Sequence, residues 1–251
     1  MSSPSIRRYR GVGSVRSYAG YLLDADNTIF DYDLCEREAL VELLEGVAPG
    51  FPAERGLALY REINADYWRR FELGQVGVED LKRGRFRDLL GALGADGDAE
   101  AVSSRYLEAL SRRAYFLPHA EAALRDLSRR ARLCLVTNGL SSVQRGRLAA
   151  AGIEPRFHAV LISEELGFAK PDPRFFQAAV SAVGLPPAEL LCVGDSPTSD
   201  IAGARDFGMD TCWVSAGSSE WPGPGPEPTY VIPDLRWLTN PGSAVAQGAR
   251  I

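Results

Sequence analysis

Short apolar runs recur along the chain and predict strands that are buried on both faces. The first run covers residues 21–24 and leads into an acidic stretch. Later runs cover residues 133–137, 160–162, 190–193, 211–214 and, near the end of the chain, 230–232. Continuous apolar runs of this length are typical of parallel sheets that are covered by helices on both faces.

Amphipathic segments with helical periodicity lie between the later runs. They cover residues 121–130, 142–151, 175–183 and 200–207. This alternation of strand and helix favours right-handed crossovers between parallel strands. The sequence therefore predicts an α/β fold built on a mostly parallel sheet.

The stretch between residues 34 and 115 interrupts the alternation, because it contains helical patterns and no convincing strand. The predicted helices cover residues 35–45, 54–71, 78–93 and 99–115, with Gly- and Pro-containing breaks between them. We therefore expect an inserted four-helix domain at 34–115, between the two parts of a core at 19–33 and 116–240.

Both ends of the chain lie outside these patterns. The first 16 residues are rich in Ser and Arg and lack acids, which is compatible with a transit peptide, but they lack the apolar stretch of a secretory signal. We expect a loose extension at 1–18 on a cytoplasmic protein, and a frayed tail at 241–251. No apolar stretch is long enough to span a bilayer, so no membrane partner is expected.

Composition narrows the classes of partner. With 45% hydrophobic and 24% charged residues, the chain has the balance of an ordinary globular protein. Its 28 Lys and Arg residues against 33 Asp and Glu give a net charge of −5, so no basic field exists to bind polymeric nucleic acid. The four cysteines are far apart, and we expect reduced core thiols rather than disulfides or metal ligands. A monomer and a homodimer both remain open.

Four polar clusters follow predicted strands at their carboxyl ends. They are residues 24–28 (DADNT), residues 137–139 (TNG), Lys170 with Pro171 after a loop, and residues 194–195 (GD) followed by Asp200. Ligands bind at this edge of open α/β sheets, so the clusters can meet in space. Several carboxylates around one ammonium group would repel one another without a cation, and oxygen donors with no nearby His or Cys select Mg²⁺.

Asp24 and Asp26 are the candidates for covalent and proton-transfer chemistry. A carboxylate at the strand end can attack a bound phosphorus and form an acyl phosphate, which makes Asp24 the candidate nucleophile. An acid two residues later lies on the same side of a continuing extended chain. Asp26 can therefore protonate the departing oxygen and then deprotonate the attacking water.

Candidate phosphate-binding groups follow two later strands. The Thr137 hydroxyl and the backbone N–H groups of Asn138 and Gly139 can converge on a phosphate at the start of the next helix. Lys170 comes just before a second predicted helix, whose N-cap would be Asp172. Its ammonium group would neutralise charge on the group being transferred.

Taken in order, these clusters resemble the four motifs of the haloacid dehalogenase (HAD) superfamily. The DxDxT motif is similar to residues 24–28, the second motif ends at Thr137, the third contributes Lys170, and the fourth, GDxxxxD, is similar to residues 194–200. The resemblance extends over about residues 20–235. It implies a Rossmann-like core and a helical C1 cap that closes over the site and selects the substrate.

The resemblance also implies roles for single residues. Asp24 and Asp195 would bind Mg²⁺ through their side chains, and Asp26 would bind it through its backbone carbonyl. Asp200 would orient Lys170 or a metal-bound water. Read from the sequence alone, Asp200 could instead cap the helix that follows it.

The acid at position 26 also bears on the type of reaction. Members of the superfamily that cleave carbon–halogen bonds or phosphonates lack an acid there, so Asp26 favours a phosphatase or a phosphomutase. Asn27 replaces the Gly of the commoner DxDGT motif. We expect this position to contribute its backbone more than its side chain.

Several stretches resemble pyrimidine 5′-nucleotidases of the superfamily more closely. They are residues 24–30, 81–86 (LKRGRF), 162–171 (ISEELGFAKP) and 211–213. We therefore expect a Mg²⁺-dependent phosphatase for a small organic phosphate, above all a pyrimidine nucleoside 5′-monophosphate. The alternatives are a sugar phosphate, an acylneuraminate phosphate or an intermediate of specialised metabolism as substrate, a phosphomutase, or a non-catalytic phosphate-binding module.

Side chains of the predicted cap are the candidates for substrate selection. Trp68, Arg85 and Phe86 could contact a base or a remote substrate group. They could equally form the core of the helical bundle. Arg85 is the strongest of the three candidates, because a buried arginine requires a partner.

Overall fold

The structure is a computed structural model that describes residues 15–215, 221–223, 225 and 227–239. The predicted tail at 241–251 and most of the predicted extension at 1–18 lie outside these residues. Residues 15–18 are described, and the prediction of a loose segment is wrong for them. Val15 and Tyr18 are buried, and the Tyr18 hydroxyl donates a hydrogen bond of 2.6 Å to Asp210. Their apolar surface is covered by the protein, which holds this short segment in place.

One parallel sheet of six strands forms the centre of the described structure. The strands are β1 Gly20–Leu23, β2 Arg132–Thr137, β3 Ala159–Ile162, β4 Leu190–Gly194, β5 Asp210–Val214 and β6 Tyr230–Ile232. Their order is β3-β2-β1-β4-β5-β6, and every neighbouring pair is parallel. The predicted α/β, Rossmann-like fold is confirmed. The strand order reverses between β1 and β4, which is where such sheets bind ligands.

The helices have the bounds α1 Tyr32–Val47, α2 Ala53–Glu72, α3 Val78–Leu93, α4 Ala99–Ser111, α5 Ala120–Leu127, α6 Ser141–Ala151, α7 Ser163–Leu166, α8 Pro173–Val183 and α9 Gly203–Asp206. Local sequence accounts well for α8. Asp172 accepts a hydrogen bond from the Arg174 backbone N–H, Pro173 is the first helical residue, and Gly184 ends the helix in the left-handed conformation. The helix buries Phe175 and its neighbours against β2 and β3.

The chain divides into two compact units. The core unit comprises Met1–Asp31, Phe116–Gly139 and Gly152–Ile251, and the helical unit comprises Tyr32–Tyr115 and Leu140–Ala151. We predicted that residues 142–151 form a helix of the core between two strands. This assignment is wrong, because α6 belongs to the helical unit.

The reason for the difference is a close contact between α6 and α4. A Cβ atom added at Gly146 would lie 2.7 Å from the Ser111 Cβ, so only glycine allows this approach. The Arg147 guanidinium donates a hydrogen bond of 3.0 Å to the Arg113 backbone carbonyl. The helical unit therefore contains α6 as well as the four predicted helices.

Aromatic side chains fill the interior of the helical unit. The rings of Tyr60, Phe86 and Tyr106 are fully buried, with centroids 5.1–5.7 Å apart. They join α2, α3 and α4, and α1 packs against both α2 and α4. Apolar burial of this kind is the main source of stability for such a bundle.

Two further expectations concern cysteines and membranes. All four cysteines lie in the described part of the chain, and they are buried and free, as predicted. Burial raises the pKa of the Cys134 thiol to about 12, so this thiol stays protonated at neutral pH. Among the described helices, none combines the length and the apolarity needed to cross a membrane.

Candidate active site

The first motif forms a tight turn directly after β1. The Asp24 backbone N–H still donates to the Val193 carbonyl of the neighbouring strand, at 2.9 Å. The Ala25 carbonyl then accepts hydrogen bonds from the backbone N–H groups of Ile29 and Phe30, at 3.0 and 2.9 Å. The extended chain that we predicted through Asp26 is therefore wrong, since the backbone turns immediately after Asp24. The turn, rather than strand alternation, places Asp26 beside the strand end.

Asn27 occupies the one position of this turn that needs an unusual backbone conformation. Its φ angle is 55°, in the left-handed region that favours Gly and tolerates Asn. This explains how Asn27 can replace the Gly of the commoner motif. The backbone conformation, more than the side chain, restricts which residues fit here.

A pair of variants at position 27 tests this explanation. We expect Asn27→Val to destabilise the protein by about 1–3 kcal/mol relative to Asn27→Gly, because a β-branched residue is strained at positive φ. Both variants lack the amide side chain, so thermal unfolding of the two isolates the effect of conformation. Equal melting temperatures would contradict the assignment.

Lys170 lies at the centre of the site with all three of its protons engaged. Its Nζ donates to Asp24 Oδ1 at 2.8 Å, to Asp200 Oδ1 at 2.6 Å and to the Val136 backbone carbonyl at 2.8 Å. The residue is only 2% exposed. Because each N–H bond has an acceptor, the direction of the ammonium group is determined by the fold.

The charges of this cluster shift its pKa values strongly. Burial alone would lower the pKa of Lys170, but the carboxylates of Asp200 and Asp24 outweigh it, and the pKa lies above that of a free lysine. Burial raises the pKa of Asp24 well above its usual range, although Lys170 opposes the shift. Other carboxylates nearby raise it further. Lys170 therefore keeps its proton, and the raised pKa of Asp24 reflects burial and the crowding of several carboxyl groups around a single ammonium group.

Asn138 fixes the backbone of Lys170 from the neighbouring strand end. Its side-chain Oδ1 accepts from the Lys170 backbone N–H, and its Nδ2 donates to the Lys170 carbonyl, both at 2.8 Å. Because the side-chain amide of Asn138 is used in this way, only its backbone N–H remains for the predicted contact with a phosphate. Next to it, the Gly139 backbone N–H donates to the buried Thr137 hydroxyl at 3.0 Å.

Asp200 connects the lysine to the fourth motif. While Oδ1 accepts from Lys170, Oδ2 accepts from the Ser196 backbone N–H at 3.1 Å. A Cβ atom at Gly194 would overlap the Asp200 carboxylate, so glycine is required there. The N-cap of the helical turn that follows is Ser196, whose hydroxyl accepts from the Ser199 backbone N–H at 3.2 Å. Asp200 therefore does not serve as the helix cap.

The helix that we predicted at 200–207 has two parts. A π-helical turn, Pro197–Ala202, precedes α9. The wider turn directs the Asp200 side chain back toward Gly194 and Ser196. Such π-helical turns are frequent at functional sites.

The acidic side chains form a group that fits a hard cation. Carboxylate oxygens of Asp24, Asp195 and Asp200 all lie within 4.8 Å of one another. Burial, followed by the charge of Asp200, raises the pKa of Asp195 to about 7. The carboxylates outnumber the single ammonium group, and the donors are oxygens, which are the ligands that Mg²⁺ prefers. On these grounds the residues present fit a magnesium ion.

Sequence reasoning found the charged residues and missed the neutral groups that hold them. The Val136 carbonyl has no side-chain signature, so no pattern could have identified it as a partner of Lys170. Ser196 could have been found, because a Ser-Pro pair before a helix is a recognisable start signal. The Thr28 hydroxyl is buried and has no partner among the described residues.

The predicted cap side chains lie in the helical unit. Phe86 belongs to its aromatic core, and Trp68 packs against that core, edge to face with Phe71. Arg85 is 2% exposed, and its guanidinium Nη1 donates to Asn64 Oδ1 at 2.6 Å. The partner that a buried arginine requires is therefore an amide oxygen, together with the surrounding rings. Contacts of these residues with a substrate stay a prediction.

The fold and the acidic cluster define an α/β protein with a candidate site for a hard cation at the carboxyl edge of its sheet. The chain belongs to the haloacid dehalogenase-like hydrolases, whose family model matches residues 18–208. The resemblance read from the four motifs is thereby confirmed.

Relatives within this family act on different phosphates. The chain is 34% identical to the pyrimidine 5′-nucleotidase PynA of Streptococcus pneumoniae, over 79% of this chain and 84% of PynA. It is 37% identical to a phosphoserine phosphatase of Thermus thermophilus, over 86% of this chain and 93% of that enzyme.

Solved structures show the same architecture. The HAD hydrolase YfnB of Bacillus subtilis, bound to magnesium, has a TM-score of 0.80 and 31% identity, and covers 89% of this chain and 97% of its own. The L-2-haloacid dehalogenase of Xanthobacter autotrophicus, at 22% identity and a TM-score of 0.70 over 89% of this chain and 97% of its own, shows a likeness of fold alone.

Proposed function

We propose that the protein is a Mg²⁺-dependent phosphomonoesterase that forms an aspartyl phosphate on Asp24 and acts on a pyrimidine nucleoside 5′-monophosphate. One observation supports the chemistry above all others. Lys170 and the carboxylates of Asp24, Asp195 and Asp200 form a single cluster at the carboxyl edge of the sheet, buried except for Asp195, which is partly exposed. Asp26 follows in the turn after Asp24, and we assign it the acid/base role.

In the first step, a carboxylate oxygen of Asp24 attacks phosphorus. The bond from phosphorus to the ester oxygen breaks, and that oxygen takes a proton from Asp26 as the alcohol leaves. The hydrogen bond from Lys170 to Oδ1 holds the Asp24 carboxylate in one orientation. A fixed orientation lowers the entropy cost of reaching the reactive geometry.

In the second step, water attacks the phosphorus of the aspartyl phosphate. Asp26, now ionised, takes a proton from the water, and the bond from phosphorus to the Asp24 oxygen breaks. Inorganic phosphate leaves, and both carboxyl groups return to their starting states. One acid/base residue thus serves both steps.

Several groups would stabilise the negative charge on the phosphate. A bound Mg²⁺ ion, held by Asp24, Asp195 and the Asp26 carbonyl, would offset the excess of carboxylate charge and attract phosphate oxygens. Lys170, held against Asp24 and Asp200, would supply a further positive charge. The Thr137 hydroxyl keeps its own proton available for a phosphate oxygen, because it accepts rather than donates in its contact with Gly139.

The substrate proposal rests on similarity. PynA is a pyrimidine 5′-nucleotidase, and the nucleotidase-like stretches read from the sequence agree with it. The relative named as a phosphoserine phosphatase favours a second candidate, a small phosphate ester without a base. Sugar phosphates, acylneuraminate phosphates and intermediates of specialised metabolism belong to this second group. Asp26 argues against carbon–halogen cleavage, since that reaction needs no leaving-group proton.

Release of inorganic phosphate from a substrate panel tests the proposal. We expect the largest kcat/KM for pyrimidine nucleoside 5′-monophosphates, at least about tenfold above phosphoserine and sugar phosphates. Activity should disappear with a chelator and return with Mg²⁺. Purine nucleoside 5′-monophosphates are the matched controls for the identity of the base, and nucleoside 3′-monophosphates are the controls for the position of the phosphate.

The panel separates the alternatives. A higher kcat/KM for phosphoserine than for every nucleotide would contradict the proposed substrate and leave the proposed chemistry intact. Substrate loss without equivalent phosphate release would indicate a phosphomutase. Nucleotide and Mg²⁺ binding without any turnover would indicate a binding module.

A further inference from the structure

Trp213 contacts the metal-binding motif from the neighbouring strand. It lies near the end of β5, in register with Gly194 of β4, and is 4% exposed. Its indole Nε1–H donates a hydrogen bond of 2.8 Å to the backbone carbonyl of Asp195. This contact reaches the backbone of a candidate metal ligand without occupying its carboxylate.

The peptide group between Asp195 and Ser196 is held at both ends. Trp213 binds its carbonyl oxygen, and Asp200 Oδ2 accepts from its N–H at 3.1 Å. Because a peptide group is planar, two such bonds on opposite sides fix its rotation. The ψ angle of Asp195 is thereby restricted, which limits the directions open to its side chain.

A second tryptophan packs against Trp213 without sharing this bond. The ring centroids of Trp213 and Trp221 are 5.2 Å apart at an interplanar angle of 79°. A Cβ atom at Gly223 would overlap Trp221 and lie 2.7 Å from Pro197 Cβ, so these residues are closely packed. The Trp221 Nε1 is buried and has no acceptor within the described structure.

We propose that Trp213 is a positioning residue for the Asp195 carboxylate, acting through its hydrogen bond to the Asp195 carbonyl. The bond occupies that carbonyl and leaves the carboxylate to face Asp24 and Asp200. Without it, only the bond from the Ser196 N–H to Asp200 holds this peptide group, and a bound cation must order Asp195 further. This inference rests on the proposed magnesium site and adds a residue that acts on it from outside.

Isothermal titration calorimetry of the metal-free protein with Mg²⁺ tests the proposal. Trp213→Phe keeps an aromatic ring and removes the N–H, and we expect its Mg²⁺ dissociation constant to rise about three- to tenfold, as for the loss of one hydrogen bond. We expect kcat at saturating Mg²⁺ to stay within about twofold of the parent, because the bound ion itself orders Asp195.

Two variants separate the hydrogen bond from ring packing. Trp221→Phe makes the same substitution in the same cluster but removes an N–H that has no acceptor among the described residues, so its Mg²⁺ affinity should equal that of the parent. Trp213→His loses more volume than Trp213→Phe but retains an N–H donor, so it should bind Mg²⁺ more tightly than Trp213→Phe. Thermal unfolding in chelator shows that each variant is folded before it is titrated.

The outcomes distinguish this inference from the proposed function. Equal Mg²⁺ affinities of the parent and Trp213→Phe overturn the inference alone. An equal loss in Trp221→Phe, or a Trp213→His variant weaker than Trp213→Phe, overturns it in favour of packing. A parent that binds no Mg²⁺ overturns the proposed metal site, and the inference with it.

Discussion

Replacing Asp24 with Asn is expected to lower phosphate release by at least about 10³-fold, because an amide cannot act as the attacking nucleophile. The change keeps the size of the side chain and an oxygen that can accept from Lys170. It also removes one negative charge from a buried group of carboxylates. We therefore expect the metal-free variant to melt at the same temperature as the parent or above it.

A matched variant controls for the loss of one negative charge. Asp126→Asn makes the same substitution on α5, at an exposed position paired only weakly with Arg129. Its activity should equal that of the parent, measured as phosphate release at saturating Mg²⁺. Turnover by Asp24→Asn at the parent rate would remove Asp24 from the role of nucleophile.

Replacing Lys170 with Met has the second large expected effect, on stability as well as activity. The change leaves Asp24 and Asp200 buried without their cation, which typically costs about 3–5 kcal/mol. We expect the melting temperature of the metal-free protein to fall by about 10 °C. Phosphate release should fall about 10²–10³-fold, because a fixed positive charge beside the transferred group is lost.

A double variant separates two roles of Lys170: pairing the buried carboxylates, and stabilising charge on the transferred group. Lys170→Met combined with Asp200→Asn removes one of the two unpaired charges, and Asn can still accept from the Ser196 backbone N–H. Its melting temperature should lie above that of Lys170→Met, while its activity should stay low. If both properties recover together, the lysine serves only to pair Asp200, and a direct role in charge stabilisation is wrong.

Local pattern was sufficient to predict the strands. Each predicted run corresponds to an observed strand with ends within one residue, since a strand buried on both faces must be apolar along its whole length. The start of α8 could be predicted equally well, because Asp172 and Pro173 act through hydrogen bonds and dihedral angles within a few residues. In both cases the determining interactions are close in sequence.

The location of α6 could not be predicted in the same way. Its amphipathic pattern indicates a helix and says nothing about which surface the apolar side contacts. The close approach of Gly146 to Ser111 decides that α6 packs on α4, and these residues are 35 positions apart. The turn at Asp26 escaped prediction for a different reason: its hydrogen bonds are local, but Asn27 alone did not reveal the left-handed conformation.

The sequence by itself determined the type of fold, the order of the four motifs and the identity of the charged groups, because these depend on residue type and on short-range periodicity. Only the tertiary structure decided which atoms meet: the three acceptors of Lys170, the use of the Asn138 amide to hold the lysine backbone, and the bond from Trp213 to Asp195. Such contacts join residues separated by between 18 and 146 positions. Their geometry follows from strand register and close packing, which no local pattern records.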